Sequence, residues 1–175
     1  MSIILVLGGA ASGKSKYAES LCAKPRAYVA TAQAFDDEMR AKIAKHRTQR
    51  GREWITVEQP IDLVGALQAA EAEAPTILVD CLTLWLTNLV MAEKDCAAEV
   101  SKLLAQLRGM KGKVVLVSNE LGLGIVPEHG LGRRFRDLHG VMNQRVAEAA
   151  DVVVFTVAGM PQVLKGQRPE PPPAA

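Results

Sequence analysis

The chain has 175 residues, of which 49% are hydrophobic and 4% are aromatic, a composition typical of one compact domain with an aliphatic core. Its 21 basic and 19 acidic residues leave a net charge of +2, which is too balanced to indicate a nucleic-acid or membrane partner. The three cysteines are widely spaced and form no CxxC pair, so they predict reduced thiols and a cytoplasmic location rather than a disulfide framework.

The ends of the chain indicate the extent of the folded domain. The N-terminal stretch MSIILVLGGAASGKS has no basic segment ahead of its apolar run, unlike a signal peptide. No stretch reaches the roughly 18 apolar residues of a membrane-spanning helix, so we expect no membrane span. The C-terminal stretch GQRPEPPPAA is proline-rich and lacks large hydrophobic residues. We therefore expect a single domain over residues 1–166 and a disordered tail over residues 167–175.

Short apolar runs alternate with longer helical patterns along the chain. The runs are nearly continuous in Val, Ile and Leu, which is typical of parallel strands buried on both faces. Strands are predicted at Ile3–Leu7, Arg26–Ala30, Thr76–Asp80, Val114–Ser118 and Val152–Val157. Helices are predicted near residues 14–23, 36–49, 61–73, 82–92, 96–108 and 131–149. This alternation predicts an α/β fold, a mainly parallel sheet flanked by helices.

The first predicted strand leads into GGAASGKS, residues 8–15, which fits the pattern G-x-x-x-x-G-K-[ST]. The glycines let backbone N–H groups surround a phosphate, while Lys14 reaches the outer phosphates and the Ser15 hydroxyl helps to hold Mg²⁺. An apolar strand before the motif and a helical pattern after it supply the context that the motif requires. The sequence therefore predicts a P-loop NTPase-like fold. The predicted nucleotide-binding loop comprises Gly8, Gly9, Ala10, Ala11, Ser12, Gly13, Lys14 and Ser15.

An acidic residue ends the third predicted strand. Asp80 follows the apolar run TILV, and ligands collect at the carboxyl ends of strands in open α/β sheets. We predict that Asp80 and Ser15 hold Mg²⁺ together with the nucleotide. The alternative role of Asp80 is the N-cap of the helix that begins CLTLWLTNL.

These features predict the transfer of a phosphoryl or nucleotidyl group from ATP or GTP, but they do not identify the acceptor. The guanine-binding pattern N-x-x-D is not evident after Asn88 or Asn119, which argues against a signalling GTPase. A small-metabolite kinase and a nucleotide-dependent regulatory protein both stay open at this point.

One histidine lies near the end of the helical pattern DDEMRAKIAKHR. The segment begins with acidic and ends with basic residues, which suits the helix dipole. Met39, Ile43 and His46 are spaced by four and three residues, so they share one face. A neutral imidazole is a good nucleophile toward phosphorus, and the cations Lys45 and Arg47 would gather triphosphate charge and disfavour imidazolium. From these residues alone, a packed or surface histidine stays the alternative.

Three longer segments resemble one known family. They are ATAQAFDDEMRAKIAKHRTQRGREWITVEQP, VDCLTLWLTNL and VVLVSNELGLGIVPEHGLGRRFRDLHGVMNQRVAEAAD. With the phosphate loop, they are similar to the bifunctional adenosylcobinamide kinase/adenosylcobinamide-phosphate guanylyltransferase of cobalamin assembly. The patterns H-R-x-x-R-x-x-x-W-x-T-x-E and S-N-E-x-G-x-G-I-V-P are more specific than the loop alone. Departures are small: Ala11 stands where arginine is common, and Gly51 where proline is frequent.

The resemblance implies two reactions and their site residues. ATP or GTP would phosphorylate adenosylcobinamide, and GTP would then donate GMP to the phosphate, giving adenosylcobinamide-GDP and pyrophosphate. The GMP would pass through a covalent intermediate on His46, with Lys14 as a second catalytic residue, Mg²⁺ as cofactor and a homotrimer as the assembly. The implied nucleotide contacts outside the phosphate loop are Thr31, Ala32, Gln33, Arg47, Thr48, Gln49, Arg50, Glu58 and Asp80.

Several further residues have competing interpretations. Asn119 and Glu120 would contact the nucleotide or the corrinoid, or form a structural turn. His129 and His139 lack partners at ligand spacing and are interpreted as non-catalytic. Trp85 is interpreted as part of a core or interface stripe. Three arginines on the last predicted helix would meet substrate phosphates or a neighbouring subunit, or form a solvated face: Arg133, Arg134 and Arg136.

Overall fold

The computed structural model describes residues 2–33 and 53–173. Its strands are β1 (Ser2–Gly8), β2 (Arg26–Ala30), β3 (Ile55–Glu58), β4 (Thr76–Asp80), β5 (Lys113–Asn119), β6 (Val152–Val157) and β7 (Met160–Lys165). Its helices are α1 (Lys14–Ser20), α2 (Leu63–Glu73), α3 (Leu82–Met91), α4 (Cys96–Gly109) and α5 (Gly130–Ala149). The alternation of strands and helices is the α/β architecture that the sequence predicts.

The strands form one sheet in the order β3-β2-β4-β5-β1-β6-β7. Neighbouring strands are parallel except for β7, which runs antiparallel to β6. The carboxyl ends of the parallel strands therefore meet at one edge, where ligands bind in open α/β sheets. At this edge β5 separates β1 from β4.

The two faces of the sheet are covered unequally. Helices α2 to α5 pack on one face, where their side chains join a large core with alternate strand residues such as Leu5, Val79 and Leu116. Helix α1 packs on the other face, over a smaller core that includes Val6 and Val117. Because side chains alternate along a strand, this division tells which face each residue at the carboxyl edge occupies.

The structure confirms every predicted strand. Three have the predicted bounds, while the strands predicted at Ile3–Leu7 and Val114–Ser118 each extend by one residue at both ends. The sequence predicts neither β3 nor β7, which are the two edge strands of the sheet. Both are largely exposed, so neither shows the continuous apolar run by which the buried strands are recognised.

Most helices begin and end close to the residues that the sequence predicts. Helix α1 stops at Ser20, three residues before the predicted end. Helix α2 begins after Asp62, whose side chain accepts a hydrogen bond from the Gly65 N–H and so caps the first turn. The helix predicted near residues 36–49 lies outside the described residues. Residues 167–173 contain no helix or strand, and the domain boundary at residue 166 stays a prediction.

The predicted apolar stripe that includes Trp85 belongs to the hydrophobic core. Trp85 is buried on α3 and its indole Nε1 donates a hydrogen bond of 2.9 Å to the carbonyl of Ile61. The core interpretation is therefore confirmed. Within residues 2–33 and 53–173, no helix is both long and apolar enough to cross a bilayer.

Candidate functional site

The predicted phosphate loop connects β1 to α1 at the carboxyl edge of the sheet. Gly13 has a φ of 90° at the start of the helix, a conformation that favours glycine. The Lys14 Nζ donates a hydrogen bond of 3.1 Å to the carbonyl of Gly9, at the beginning of the loop. The local geometry is that of the strand–loop–helix unit expected for this motif.

The β6–β7 turn supports the phosphate loop from one side. The Gly159 N–H donates a hydrogen bond of 2.8 Å to the Ser12 carbonyl. A Cβ placed on Gly13 would lie 3.1 Å from the Gly159 Cα, and one placed on Gly8 would lie 2.7 Å from the Thr156 carbonyl oxygen. Side chains at either loop glycine would therefore push the loop away from β6 and its turn.

Asp80 ends β4 on the same face of the sheet as α1. The Tyr28 hydroxyl donates a hydrogen bond of 2.8 Å to the Asp80 Oδ2. The alternative interpretation of Asp80 as a helix N-cap is wrong, because Cys81 occupies the N-cap position of α3. The carboxylate of Asp80 therefore faces Tyr28 and the phosphate-loop side of the sheet rather than the first turn of α3.

The pKa of the Cys81 thiol depends on the charges around Asp80. Burial and, after it, the Asp80 carboxylate raise the pKa of the Cys81 thiol to about 12, while Lys14 acts in the opposite direction. Both predicted phosphate-site charges thus lie close enough to act on one thiol. Cys22 is also buried, and its pKa is raised to about 12 mainly by burial.

Thr31 follows β2, and both its side chain and its backbone form hydrogen bonds. Its hydroxyl donates to the Cys81 carbonyl at 2.8 Å and accepts from the Cys81 N–H at 2.9 Å. Its own N–H donates to the Asp80 carbonyl at 3.3 Å. Thr31 is 0% exposed, so it holds the start of the predicted contacts Ala32 and Gln33 against Asp80.

Asn88 holds the other side of Thr31. The Asn88 Nδ2 donates to the Thr31 carbonyl at 2.7 Å and to the Pro60 carbonyl at 3.0 Å. Asn88 lies on α3 and is 2% exposed. One side chain therefore joins the chain leaving β2 to the chain leaving β3.

Glu58 lies farther along the same edge. It ends β3 and pairs in register with Ala30 of β2. Four strand spacings separate β3 from β1, which amounts to roughly 19 Å. The predicted residues are thus spread along the edge, with the phosphate loop near one end and Glu58 at the other.

His46 and the predicted contacts Arg47, Thr48, Gln49 and Arg50 lie outside the described residues. The described chain resumes at Glu53, and Trp54 packs edge-on against Tyr28 with ring centroids 5.5 Å apart. Arg26 lies over the Trp54 ring at 4.2 Å. The chain that follows the histidine segment is therefore anchored to the tyrosine that contacts Asp80.

A buried polar cluster, which no sequence pattern predicts, supports the carboxyl end of β5. We call it the β5 cluster; it consists of Thr83, Ser118, His139 and Asn143. The His139 Nε2 lies 3.0 Å from the Thr83 hydroxyl oxygen, and the Ser118 hydroxyl donates to the Asn143 Oδ1 at 2.7 Å. Burial lowers the pKa of His139 while Glu120 acts in the opposite direction, so the cluster favours a neutral imidazole.

Helix α5 also holds the loop that follows β5. Arg133 donates to the carbonyls of Pro127 and Glu128 at 3.1 and 2.6 Å. Arg136 donates to the Gly122 carbonyl at 2.6 Å. Two of the three arginines therefore bind the backbone of this loop. This partner is none of those proposed from the sequence, which are substrate phosphates, a neighbouring subunit and solvent.

A family model described as cobinamide kinase / cobinamide phosphate guanyltransferase matches residues 4–164. The chain belongs to this family. The family has cobinamide kinase and cobinamide phosphate guanylyltransferase activities, so the resemblance, the two activities and the enzyme class implied by the sequence are confirmed. The covalent step on His46 stays a prediction.

Relatives of known name align over nearly the whole chain. The bifunctional adenosylcobalamin biosynthesis protein CobP of Pseudomonas aeruginosa is 46% identical over 168 residues, covering 93% of this chain and 97% of that protein. The bifunctional protein CobU of Salmonella typhimurium is 43% identical over 175 residues, and CobU of Escherichia coli is 40% identical over 175 residues. Each of these two alignments covers 90% of this chain and 97% of the relative.

Solved structures support the fold at much lower identity. The flagellar accessory protein FlaH of Methanocaldococcus jannaschii has a TM-score of 0.54 and 14% identity, covering 94% of this chain and 78% of that chain. A KaiC-like protein of Pyrococcus horikoshii has a TM-score of 0.50 and 15% identity, covering 88% of this chain and 70% of that chain. These similarities confirm the P-loop NTPase-like fold.

Proposed function

We propose that this chain carries out both activities of its family at the carboxyl edge of the sheet. It phosphorylates adenosylcobinamide with ATP or GTP, and it then transfers GMP from GTP to adenosylcobinamide phosphate through a covalent intermediate on His46. The observation that carries the proposal is the convergence of the phosphate loop, Asp80 and Thr31 at one edge, in a chain whose family has these two activities.

The kinase step uses the phosphate loop. Its backbone N–H groups surround the phosphates of the donor nucleotide, and the Lys14 ammonium turns from the Gly9 carbonyl to the outer phosphates. The substrate hydroxyl oxygen attacks the γ-phosphorus and its proton passes to water, while the bond from the γ-phosphorus to the bridging oxygen breaks and the nucleoside diphosphate departs. The loop residues Gly8–Ser15 and Asp80 are assigned to this step.

The guanylyl step uses the histidine. The neutral imidazole of His46 attacks the α-phosphorus of GTP, a P–N bond forms, and pyrophosphate departs. A phosphate oxygen of adenosylcobinamide phosphate then attacks the same phosphorus, and the P–N bond breaks. We assign Arg47, Thr48, Gln49 and Arg50 to the triphosphate, as the family resemblance implies.

The remaining assigned contacts lie on β2 and β3. Ala32 and Gln33 are partly buried beyond the fixed Thr31, and Glu58 ends the neighbouring edge strand. Because Thr31 has no exposed surface, its role in this proposal is to place Ala32 and Gln33 rather than to touch the nucleotide through its hydroxyl.

The donor set at the edge suits Mg²⁺. Asp80 supplies a carboxylate whose Oδ2 is oriented by Tyr28, and Ser15 supplies a hydroxyl in the first turn of α1. One or two protein ligands together with substrate phosphates are usual for Mg²⁺. Ser15 and Asp80 would hold the ion, which neutralises phosphate charge when bound.

Two properties of the whole protein belong to the same proposal. We assign a homotrimer, as the family resemblance implies, and a cytoplasmic location, in keeping with three unpaired cysteines. Sedimentation equilibrium checks the first, with a mass of three chains expected. Cell fractionation checks the second.

A labelling experiment tests the covalent step. The protein is incubated with Mg²⁺ and GTP labelled at the α-phosphorus, and we expect an acid-labile, base-stable label on His46. The His46→Ala variant takes up no label and loses guanylylation, while it retains kinase activity. His129→Ala is the matched control, because His129 is exposed at the start of α5 and belongs to no assigned site.

The same experiment separates the proposal from its competitors. Full guanylylation by His46→Ala, without label on the wild type, would contradict the histidine intermediate and favour a simple kinase. Tight nucleotide binding without transfer to any cobinamide would favour a regulatory protein.

A further inference from the structure

Asn119 lies at the centre of the carboxyl edge, and neither proposed step involves it. It ends β5, and it pairs in register with Gly8, the first residue of the phosphate loop. On the other side of β5, Val117 pairs with Asp80 of β4. Asn119 therefore lies between the strand that leads into the phosphate loop and the strand that ends in Asp80.

The side chain of Asn119 projects toward the phosphate-loop face of the sheet. Val117 belongs to the smaller core beneath α1, and residues two apart on a strand share a face. Asp80 shares this face by the same argument, since Leu78 belongs to the same core. Ser118, between Val117 and Asn119, points to the opposite face and joins the β5 cluster.

The Asn119 backbone is fixed while its side chain is not engaged. Its N–H donates to the Thr83 hydroxyl oxygen at 2.9 Å, and its carbonyl accepts from the Asn143 Nδ2 at 2.9 Å. Across residues 2–33 and 53–173, the structure gives the Asn119 carboxamide no hydrogen-bond partner. A half-buried amide with a rigid backbone and free donors is suited to binding a ligand.

The neighbours of Asn119 define the ligand chemistry. The next residue, Glu120, donates its N–H to the Gly8 carbonyl at 3.1 Å, which ties the end of β5 to the phosphate loop. Lys14 begins α1, which packs on this face, and Asp80 shares the face. An amide N–H in this position meets phosphate oxygens, because the loop beside it binds phosphates.

We propose that Asn119 is a further substrate-binding residue, whose Nδ2 donates to a phosphate oxygen of the nucleoside triphosphate held by the phosphate loop. Thr83 and Asn143 are its positioning residues, and His139 and Ser118 hold those two from behind. This inference rests on the proposed function, because it places the same nucleotide in the same loop. It selects the nucleotide over the corrinoid as the partner of Asn119.

The side-chain contact is tested first. Asn119→Ala removes the donor, and Asn119→Asp keeps the shape while placing a negative charge beside the phosphates. We expect Asn119→Ala to lower the kinase kcat about a hundredfold, as for the loss of one preorganised donor. We expect Asn119→Asp to weaken ATP binding about tenfold or more as well, because like charges repel. Gln162→Ala on β7 is the control, since it removes an exposed carboxamide from an edge of the same sheet.

The positioning role is tested through Thr83. Thr83→Val keeps the branched shape but removes the oxygen that accepts from the Asn119 N–H, whereas Thr83→Ser keeps that oxygen. We expect Thr83→Val to lower kcat about tenfold with little change in the KM for cobinamide, and Thr83→Ser to restore kcat to within about twofold. Thr87→Val is the matched control, because Thr87 lies one turn along α3 and its hydroxyl donates to the Thr83 carbonyl rather than to β5.

The outcomes distinguish this inference from the proposed function. A kinase kcat for Asn119→Ala within about twofold of wild type, or a rise in the cobinamide KM alone, overturns the phosphate contact. Equal kcat values for Thr83→Val and Thr87→Val overturn the positioning role. Should the wild type transfer no phosphoryl group, the proposed function fails, and ATP titration of Asn119→Asp still decides the contact. Melting temperatures identify any variant that loses its fold.

Discussion

The buried amide of Asn88 offers the sharpest test of how the edge of the sheet is held. Asn88 is 2% exposed, and its Nδ2 bonds the carbonyls of both Thr31 and Pro60. Asn88→Leu replaces the amide by an apolar side chain of similar size. The variant therefore removes two donated hydrogen bonds without opening a large cavity.

The expected cost follows from this geometry. Each buried carbonyl that loses its donor costs about 1–3 kcal/mol, so the two together cost about 2–6 kcal/mol before any offset. Among residues 2–33 and 53–173 the Asn88 Oδ1 itself has no partner, so removing it offsets part of the loss. We expect Asn88→Leu to lower the free energy of unfolding by about 2–4 kcal/mol.

Urea unfolding measures this change, with melting temperature as a second readout. At about 2–4 °C per kcal/mol for a chain of this size, the melting temperature should fall by roughly 9 °C. Gln68→Leu is the control: it makes the same kind of exchange on α2 but loses only an exposed bond to Gln106, so we expect a change within about 0.5 kcal/mol. A loss below 0.5 kcal/mol for Asn88→Leu would refute the reasoning, because the amide would then have no structural role.

Three further predictions concern titration, thiol reactivity and the turn beside the phosphate loop. Because burial lowers the pKa of His139, this residue takes up a proton in the unfolded chain before it does so in the folded protein, as the pH falls below about 6.5. The free energy of unfolding should therefore decrease below that pH. His139→Gln should weaken this pH dependence, as measured by urea unfolding. Ellman's reagent at pH 8 should titrate Cys96 in the native protein and the two buried thiols only after unfolding; three equivalents before unfolding would contradict the burial. Gly159 has a φ of 78°, so Gly159→Ala should lower the free energy of unfolding by roughly 1–2 kcal/mol and raise the KM for ATP. Gly140→Ala within α5 is the control and should not destabilise the protein. Equal effects of the two substitutions would exclude strain at the turn.

The sequence predicts the sheet where burial leaves a continuous apolar run. Strands β1, β2, β4, β5 and β6 are flanked by neighbours on both sides, and their runs identify them. Strands β3 and β7 end the sheet, and their exposed residues produce no such run. The missing information is tertiary, because edge strands are defined by their neighbour rather than by their own pattern.

The site is predictable to the extent that it depends on strand ends. The phosphate loop and Asp80 are expected at one edge because both follow parallel strands, and the structure places them there. The role of His46 stays a prediction. Asn88 and His139 have no sequence signal, since helical periodicity tells that a residue faces inward but not which backbone group lies opposite.

The interposed strand β5 has a consequence for inhibitors. Gly8 and Asp80 belong to strands separated by two spacings, or roughly 10 Å between their backbones, so a ligand joins the loop to the carboxylate through a cation held by Ser15 and Asp80. Orthophosphate would occupy the loop alone, whereas a polyphosphate chain with its cation is long enough to bridge to Asp80. Pyrophosphate, the by-product of the guanylyl step, would therefore compete with the nucleotide more strongly than orthophosphate does.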